Sequence, residues 1–322
     1  MPEKPTVFVT RRLPAAVEAR AERDYACRWN ETDAVLDADA LIAGAAGARG
    51  VLTCPTERWS REVIAALPDA VEIIATFSVG YDHIDVSAAK QRGIVVTNTP
   101  DVLTEATADI AMLCLLGASR RVPEAQSMLR EGRWQRWNPT ELLGPGLQGK
   151  NLGIVGMGRI GRALATRARA FGLRIHYHNR SRLAPDLEAG ATYYESLETM
   201  LPAVQFLSLN CPATPENAGM IDASRLALLP AGAVLVNTAR GTLVDDDALI
   251  AALESGHLAA AGLDVFNNEP AFDRRYLQRP NAFLLPHIGS STIETRNGMG
   301  FRCLDNLDAH FAGRPAPDAV NR

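Results

Sequence analysis

The stretch 151–161, Asn-Leu-Gly-Ile-Val-Gly-Met-Gly-Arg-Ile-Gly, constrains this 322-residue chain more than any other. A short apolar run, Leu152 to Val155, enters a Gly-x-Gly-x-x-Gly turn at Gly156, Gly158 and Gly161, and an Ala- and Arg-rich helical stretch to Phe171 leaves it. A second apolar strand, Leu173 to Tyr177, follows at the spacing a βαβ unit requires. In such a turn the first glycine permits a tight bend, the second lets a pyrophosphate approach the backbone, and the third lets the helix pack on the strand. Phosphates then sit at the helix N-terminus, where N–H groups lack intrahelical partners. The glycines alone are weak evidence. Strand, turn, helix and strand together predict a dinucleotide-binding unit, with Arg159 and Ile160 inside its phosphate turn.

The same alternation fills the rest of the chain. Before the turn, Val7–Val9, Gly50–Thr53, Ile73–Thr76 and Ile94–Val96 read as strands, with helical stretches at 15–23 and 60–66. This is an α/β domain without a glycine-rich phosphate turn, so its task is something other than holding the dinucleotide. A helical segment from Thr104 to Arg121 carries the chain into the second domain, with a crossing near Pro100. After Tyr177, strands are expected at 206–209, 234–236, 260–263 and 282–285, giving six from Leu152 onward. A helix at 294–311 returns to the first domain. The boundaries are therefore drawn at 1–100, 101–286 and 287–322.

A chain of this length is expected to form two domains with full cores. Its formal charge of -4 offers no global attraction to nucleic acid or an acidic membrane surface. Five scattered cysteines, with no Cys-x-x-Cys, suit a reducing compartment such as the cytoplasm. Residues 1–12 lack a signal-peptide core, and the longest apolar run, Ile110 to Leu116, is too short to cross a bilayer. His176-x-His178 puts two imidazoles on one strand face without an evident third ligand, so no metal is expected.

In doubly wound sheets ligands bind beyond the carboxyl ends of the strands. Three motifs stand there: Asn237-Thr-Ala-Arg-Gly241, Asp264 with Glu269, and Pro286-His-Ile-Gly-Ser290. Together with 152–161 they resemble the D-2-hydroxyacid dehydrogenase family, in the same order and nearly end to end. Residues 77–85, Phe-Ser-Val-Gly-Tyr-Asp-His-Ile-Asp, with 132–139, Gly-Arg-Trp-Gln-Arg-Trp-Asn-Pro, and 317–321, Pro-Asp-Ala-Val-Asn, are similar to its glyoxylate and hydroxypyruvate reductase branch. The resemblance implies an α/β fold of two doubly wound domains, a Rossmann dinucleotide-binding domain inserted in a flavodoxin-like split substrate domain. It also implies a homodimer, joined largely through the cofactor domains. Alternatives left open are 3-phosphoglycerate or another D-2-hydroxyacid as substrate, and a nucleotide-sensing corepressor of the same fold.

Reduction of a 2-keto acid needs a cation for the carboxylate, an acid for the carbonyl oxygen and a nicotinamide to deliver hydride. Arg240 has the planar fork for a carboxylate, and the imidazole of His287 can give or take a proton as a general acid or base. Glu269 would bond the other imidazole nitrogen and hold its orientation. Singly, these residues read as a helix cap, an exposed turn and a structural histidine; after separate strands of one sheet they read as a catalytic set. Val79 and Gly80 follow a strand and can offer N–H groups to a carboxylate, and Leu103 is a candidate pocket wall. Phosphite dehydrogenases of this fold carry lysine at the Val79 position, which argues against that chemistry. Trp137 and Trp134 read either as core aromatics or, as the resemblance implies, as residues reaching a neighbouring subunit's active site. The resemblance extends the cofactor contacts to Thr107, Cys211, Pro212, Thr238, Ala239, Arg240, Asp264, His287 and Gly289.

Cofactor choice is read from Tyr177-His-Asn-Arg-Ser-Arg182. The second strand of an NAD-binding unit normally ends in an Asp or Glu that bonds the ribose hydroxyl and repels a phosphate. Here Asn179 stands in its place, followed by Arg180, Ser181 and Arg182. Guanidinium groups and a hydroxyl suit a 2′-phosphate, so NADPH (NADP) is expected over NADH.

Overall fold

The computed structural model describes residues 4–321, leaving the first three residues of the 1–12 segment and the last residue of the chain outside. The chain divides into two compact units, Met1–Leu103 with Ser290–Arg322, and Thr104–Gly289. These divisions fall slightly later than the sequence reading drew them, and hydrogen bonds explain the second. Ile288 N–H donates to Asp264 Oδ1 at 2.7 Å, and Thr107 Oγ1 donates to the Gly289 carbonyl at 3.2 Å. The segment 287–289 is thereby tied to the second unit.

In the first unit β1 (Thr6–Val9), β2 (Ala26–Trp29), β3 (Gly50–Thr53), β4 (Ile73–Thr76) and β5 (Val95–Thr97) form a parallel sheet in the order β2-β1-β3-β4-β5. That is the flavodoxin-like order. β3 and β4 are buried throughout, as strands covered on both faces must be. The helix Ile293–Phe311 belongs to this unit, as the sequence reading expects.

In the second unit β6 (Asn151–Val155), β7 (Arg174–His178), β8 (Thr192–Tyr194), β9 (Phe206–Leu209), β10 (Ala233–Asn237), β11 (Leu258–Leu263) and β12 (Ala282–Leu284) form a parallel sheet, ordered β12-β11-β10-β9-β6-β7-β8. The order reverses between β6 and β9, which is where a doubly wound sheet opens a crevice. Side chains alternate across the sheet: Leu207 and Leu235 join one buried cluster, while Phe206, Val234 and Val236 join the other. Each such buried side chain contributes about 1.5–3 kcal/mol relative to exposure. Thr104–Ser119 and Arg159–Ala170 supply Ala108, Ala111, Leu115, Leu164 and Ala165 to the second cluster.

The sequence reading misses β2 in the first sheet and β8 in the second, which therefore has seven strands rather than six. Both are short edge strands that leave side chains exposed or half-buried, which weakens the apolar signal. It also misses the helices Ala38–Gly44, Val86–Gln91 and Val122–Arg130. The last buries none of its residues and carries Pro123 in its first turn, where proline is tolerated rather than disruptive. No helix among the described residues is long and apolar enough to cross a membrane.

Candidate active site

Register brings the carboxyl ends of six neighbouring strands level. Val155 pairs with His178 and Leu209, Asn237 with Leu209 and Leu263, and Leu263 with Leu284. The residues that follow those strands therefore share one edge of the sheet.

The glycine turn leaves β6 there. Gly156 has φ +94°, and a Cβ on it would lie 2.5 Å from Cys211 N; a Cβ on Gly161 would lie 2.3 Å from the Gly156 carbonyl oxygen. A Cβ on Gly158 would meet nothing within 4 Å. The first and third glycines are thus required by the protein itself, and the second faces open space. Asn179 Oδ1 accepts from Met157 N–H at 2.7 Å, pinning the turn to the end of β7. Two buried polar atoms at the same edge, Asn210 Oδ1 after β9 and Thr238 Oγ1 after β10, lack a hydrogen-bond partner. Such atoms call for one. With the first N–H groups of the helix Arg159–Ala170, this cradle fits a dinucleotide. Cys211, half-buried, and Pro212, exposed, follow β9 beside it.

Arg182 is placed differently from its sequence neighbours. It forks onto Glu188, Nε to Oε1 at 2.7 Å and Nη2 to Oε2 at 3.1 Å, while Arg180 and Ser181 are exposed. Hydrogen bonds from Arg182 and Tyr177 pull the Glu188 carboxyl down to about 2. The Arg182 side chain is itself 64% exposed, with its Nε and Nη2 engaged by a carboxylate six residues on.

After β10, Asn237 shapes the turn that carries Arg240. Its Oδ1 accepts from Ala239 N–H at 3.0 Å and its Nδ2 donates to the Arg240 carbonyl at 2.8 Å. Arg240 is half-buried, and its Nη1 donates to the Ala239 carbonyl at 2.8 Å. After β11, Asp264 is 1% exposed; burial pushes its carboxyl upward, opposed by the N–H groups of Ile288 and Gly289 and by His287. It holds the backbone on either side of Ile288, and His287 beside it has φ +55°. A positive φ on histidine is a conformation that surroundings must enforce.

The imidazole meets its carboxylate at short range. His287 Nδ1 donates to Glu269 Oε2 at 2.6 Å, and Glu269 Oε1 accepts from Phe266 N–H at 2.7 Å. Burial alone would raise the Glu269 carboxyl. The His287 hydrogen bond and charge, the Phe266 N–H and the Arg240 charge outweigh it and hold the group below the ordinary range. An ionised carboxylate only accepts, so the Nδ1 proton is fixed and Nε2 is left to carry a transferable proton. The ring is 47% exposed, as an acid that meets substrate must be. Arg240, Glu269 and His287 thus lie in one electrostatic neighbourhood, a cation beside an imidazole and the carboxylate it donates to.

The other sequence candidates take these places. Val79 and Gly80 follow β4 in the first unit, where their carbonyls accept from Asn98 Nδ2 at 2.8 Å and Ser78 Oγ at 2.6 Å. The first bond fixes the peptide plane that carries the Gly80 N–H, and the second fixes the plane between Gly80 and Tyr81. Leu103 is buried at the end of that stretch. Trp137 and Trp134 are 77% and 54% exposed, so neither is a core aromatic of this chain. His176 and His178 each turn Nδ1 to Tyr194, to its hydroxyl and its carbonyl, both at 3.0 Å. No group of three or more metal-ligating side chains occurs among the described residues. Sequence reasoning missed Asn210 and Glu188, because a buried unpaired amide or a distant ion-pair partner leaves no local pattern.

The sequence profile described as "D-isomer specific 2-hydroxyacid dehydrogenase, NAD binding domain" matches residues 112–289. The chain belongs to the D-isomer-specific 2-hydroxyacid dehydrogenase family. This family member is an oxidoreductase with a nicotinamide-binding domain. It is 43% identical over 312 residues to a glycerate dehydrogenase of Hyphomicrobium methylovorum, covering 96% of this chain and 97% of the other. It is 42% identical over 333 positions to a glyoxylate reductase of Thermococcus litoralis, covering 99% and 97%. The solved NADPH-dependent glyoxylate/hydroxypyruvate reductase of Sinorhizobium meliloti, in complex with NADP and malonate, superposes with a TM-score of 0.89 at 38% identity, covering 99% and 97%.

Proposed function

We propose that this dehydrogenase reduces small 2-keto acids, glyoxylate and hydroxypyruvate, to D-2-hydroxy acids with NADPH. The observation that carries the reading is the 2.6 Å His287–Glu269 pair lying within the field of Arg240. Relatives named glyoxylate reductase and glycerate dehydrogenase support the substrate class, glycerate being the hydroxy acid that hydroxypyruvate yields.

Arg240 binds the keto-acid carboxylate through its planar fork and so orients the carbonyl. His287 gives its Nε2 proton to the carbonyl oxygen as that oxygen gains negative charge. Glu269 holds the ring in the productive tautomer and stabilises its charged form. A nicotinamide dinucleotide held through its pyrophosphate at the Gly156–Gly161 turn would supply the hydride. Thr107, Arg159, Ile160, Asn179, Cys211, Pro212, Thr238, Ala239, Asp264 and Gly289 are the further residues assigned to hold it, with Arg180 and Ser181 at the 2′-phosphate. The direct test is absorbance at the reduced-nicotinamide band on adding glyoxylate to protein and NADPH. Consumption should exceed that with NADH, and equal efficiency with both cofactors would overturn the NADPH assignment.

The acid–base pair predicts a pH response. Glu269 titrates below its ordinary value, so its contribution is present above about pH 4.5 and is lost as pH falls through the lower folded value. Across neutral pH it stays ionised and favours the proton on its partner. Glu269→Gln keeps the shape and removes the charge, so the alkaline loss of keto-acid reduction should move to lower pH. An unmoved alkaline limb would remove Glu269 from this role.

A further inference from the structure

The loop after β7 is anchored at both ends, and its two arginines are treated unequally. At its start Asn179 Oδ1 holds Met157 N–H, and at its end Leu183 N–H donates to the Tyr177 hydroxyl at 3.1 Å. Between them Arg182 is locked. Its fork closes on Glu188, the Tyr177 hydroxyl donates to the same Glu188 Oε1 at 2.6 Å, and the guanidinium lies 5.8 Å from the centre of the Tyr193 ring. The Glu188 carbonyl accepts from Arg169 Nη2 at 3.1 Å, which fixes the short helix Pro185–Glu188. Tyr177 is fully buried, and the Glu188 side chain is 8% exposed beneath an Arg182 that is 64% exposed, so the cation covers the carboxylate. Both arginines are exposed, but the charge of Arg180 is felt at Cys211 and Glu216 on the loop after β9.

We propose that Glu188 is a positioning residue for cofactor selection: it holds Arg182 as a strut and cancels its charge, leaving discrimination of the 2′-phosphate to Arg180 and Ser181. The proposal rests on the NADPH reading above. Its physical content is a charge balance close to the phosphate. With the pair intact, Arg182 and Glu188 together present no net charge. Removing Arg182 alone leaves a shielded anion on the loop that carries Arg180, and that anion repels a phosphate carrying nearly two negative charges. Removing both charges restores the balance, while the amide oxygen introduced by Glu188→Gln can still accept from the Tyr177 hydroxyl.

A double-mutant cycle tests this, read as the ratio of kcat/KM with NADPH to kcat/KM with NADH, using glyoxylate. Arg182→Ala should lower the ratio about three- to tenfold, and Arg182→Ala with Glu188→Gln should return it to within about twofold of the parent. A double variant as impaired as Arg182→Ala would show that Arg182 touches the phosphate itself and would overturn the proposal. Equal loss with both cofactors would make the pair merely structural, with the same consequence; thermal midpoints and the KM for NADH identify that case. Arg180→Ala separates the proposal from its premise. It should lower the ratio by about tenfold or more, and an unchanged ratio would overturn the phosphate-site reading rather than the role of Glu188.

Discussion

Alanine at position 287 is expected to slow keto-acid reduction by about 100-fold or more while leaving NADPH affinity close to that of the parent. The size follows from removing the only group assigned to protonate the carbonyl oxygen. The selectivity follows from how the segment is held. The backbone at His287 is fixed by its neighbours, through Ile288 N–H to Asp264 Oδ1 and Thr107 Oγ1 to the Gly289 carbonyl, and neither bond uses the imidazole. The glycine turn is on a different strand connection altogether. Arg240→Ala should fail differently, raising KM for the keto acid and lowering kcat, because carboxylate binding and orientation are lost together. Steady-state kinetics placing either variant within about threefold of the parent would refute the assigned roles.

What the sequence reveals about this protein is what local pattern can encode. The Gly156–Gly161 turn is legible because two of its three glycines answer to something nearby: a Cβ on Gly156 would strike Cys211, and one on Gly161 would strike Gly156. Arg240, Asp264 and His287 are legible because each follows an apolar strand, and a parallel sheet places such residues along one edge. The failures share a cause. β2 and β8 lie at sheet edges, where half the residues face water and the apolar run that marks a buried strand disappears. Arg180 and Arg182 look alike in sequence, and only the fold shows that Glu188, on a one-turn helix without periodicity of its own, claims the second. The sequence could not choose between the interior and exposed readings of Trp134 and Trp137, since aromatic residues suit both. Hydrogen-bonded support such as Asn237 beneath Arg240 is likewise invisible until the turn is built.

The second large effect is expected at a residue without a side chain, Gly241, which follows Arg240. A Cβ there would lie 1.9 Å from the carbonyl carbon of Phe266 and 2.2 Å from Asn267 N. Both neighbours are backbone, so no side-chain rotation relieves the clash. Either the turn that carries Arg240 or the loop that carries Glu269 must move, and Phe266 N–H is itself a donor to Glu269 Oε1. Gly241→Ala should therefore reduce activity at least as far as loss of one catalytic group, about 100-fold, and cost about 1–3 kcal/mol of stability through overpacking. Asn267 resists the displacement, since its Nδ2 donates to Asp246 Oδ2 at 2.9 Å and the Tyr276 hydroxyl donates to Asp246 Oδ1 at 2.7 Å. Gly158→Ala is the matched control. Its Cβ would meet no protein atom, so stability should stay within about 0.5 kcal/mol while KM for NADPH rises, because the methyl group intrudes where a pyrophosphate approaches. Kinetics and thermal melts on the two variants check the pair of expectations. A Gly241→Ala protein with parental activity would mean that the Phe266 loop yields without disturbing Glu269, and the rigid coupling of Arg240 to the His287 partner would then be wrong.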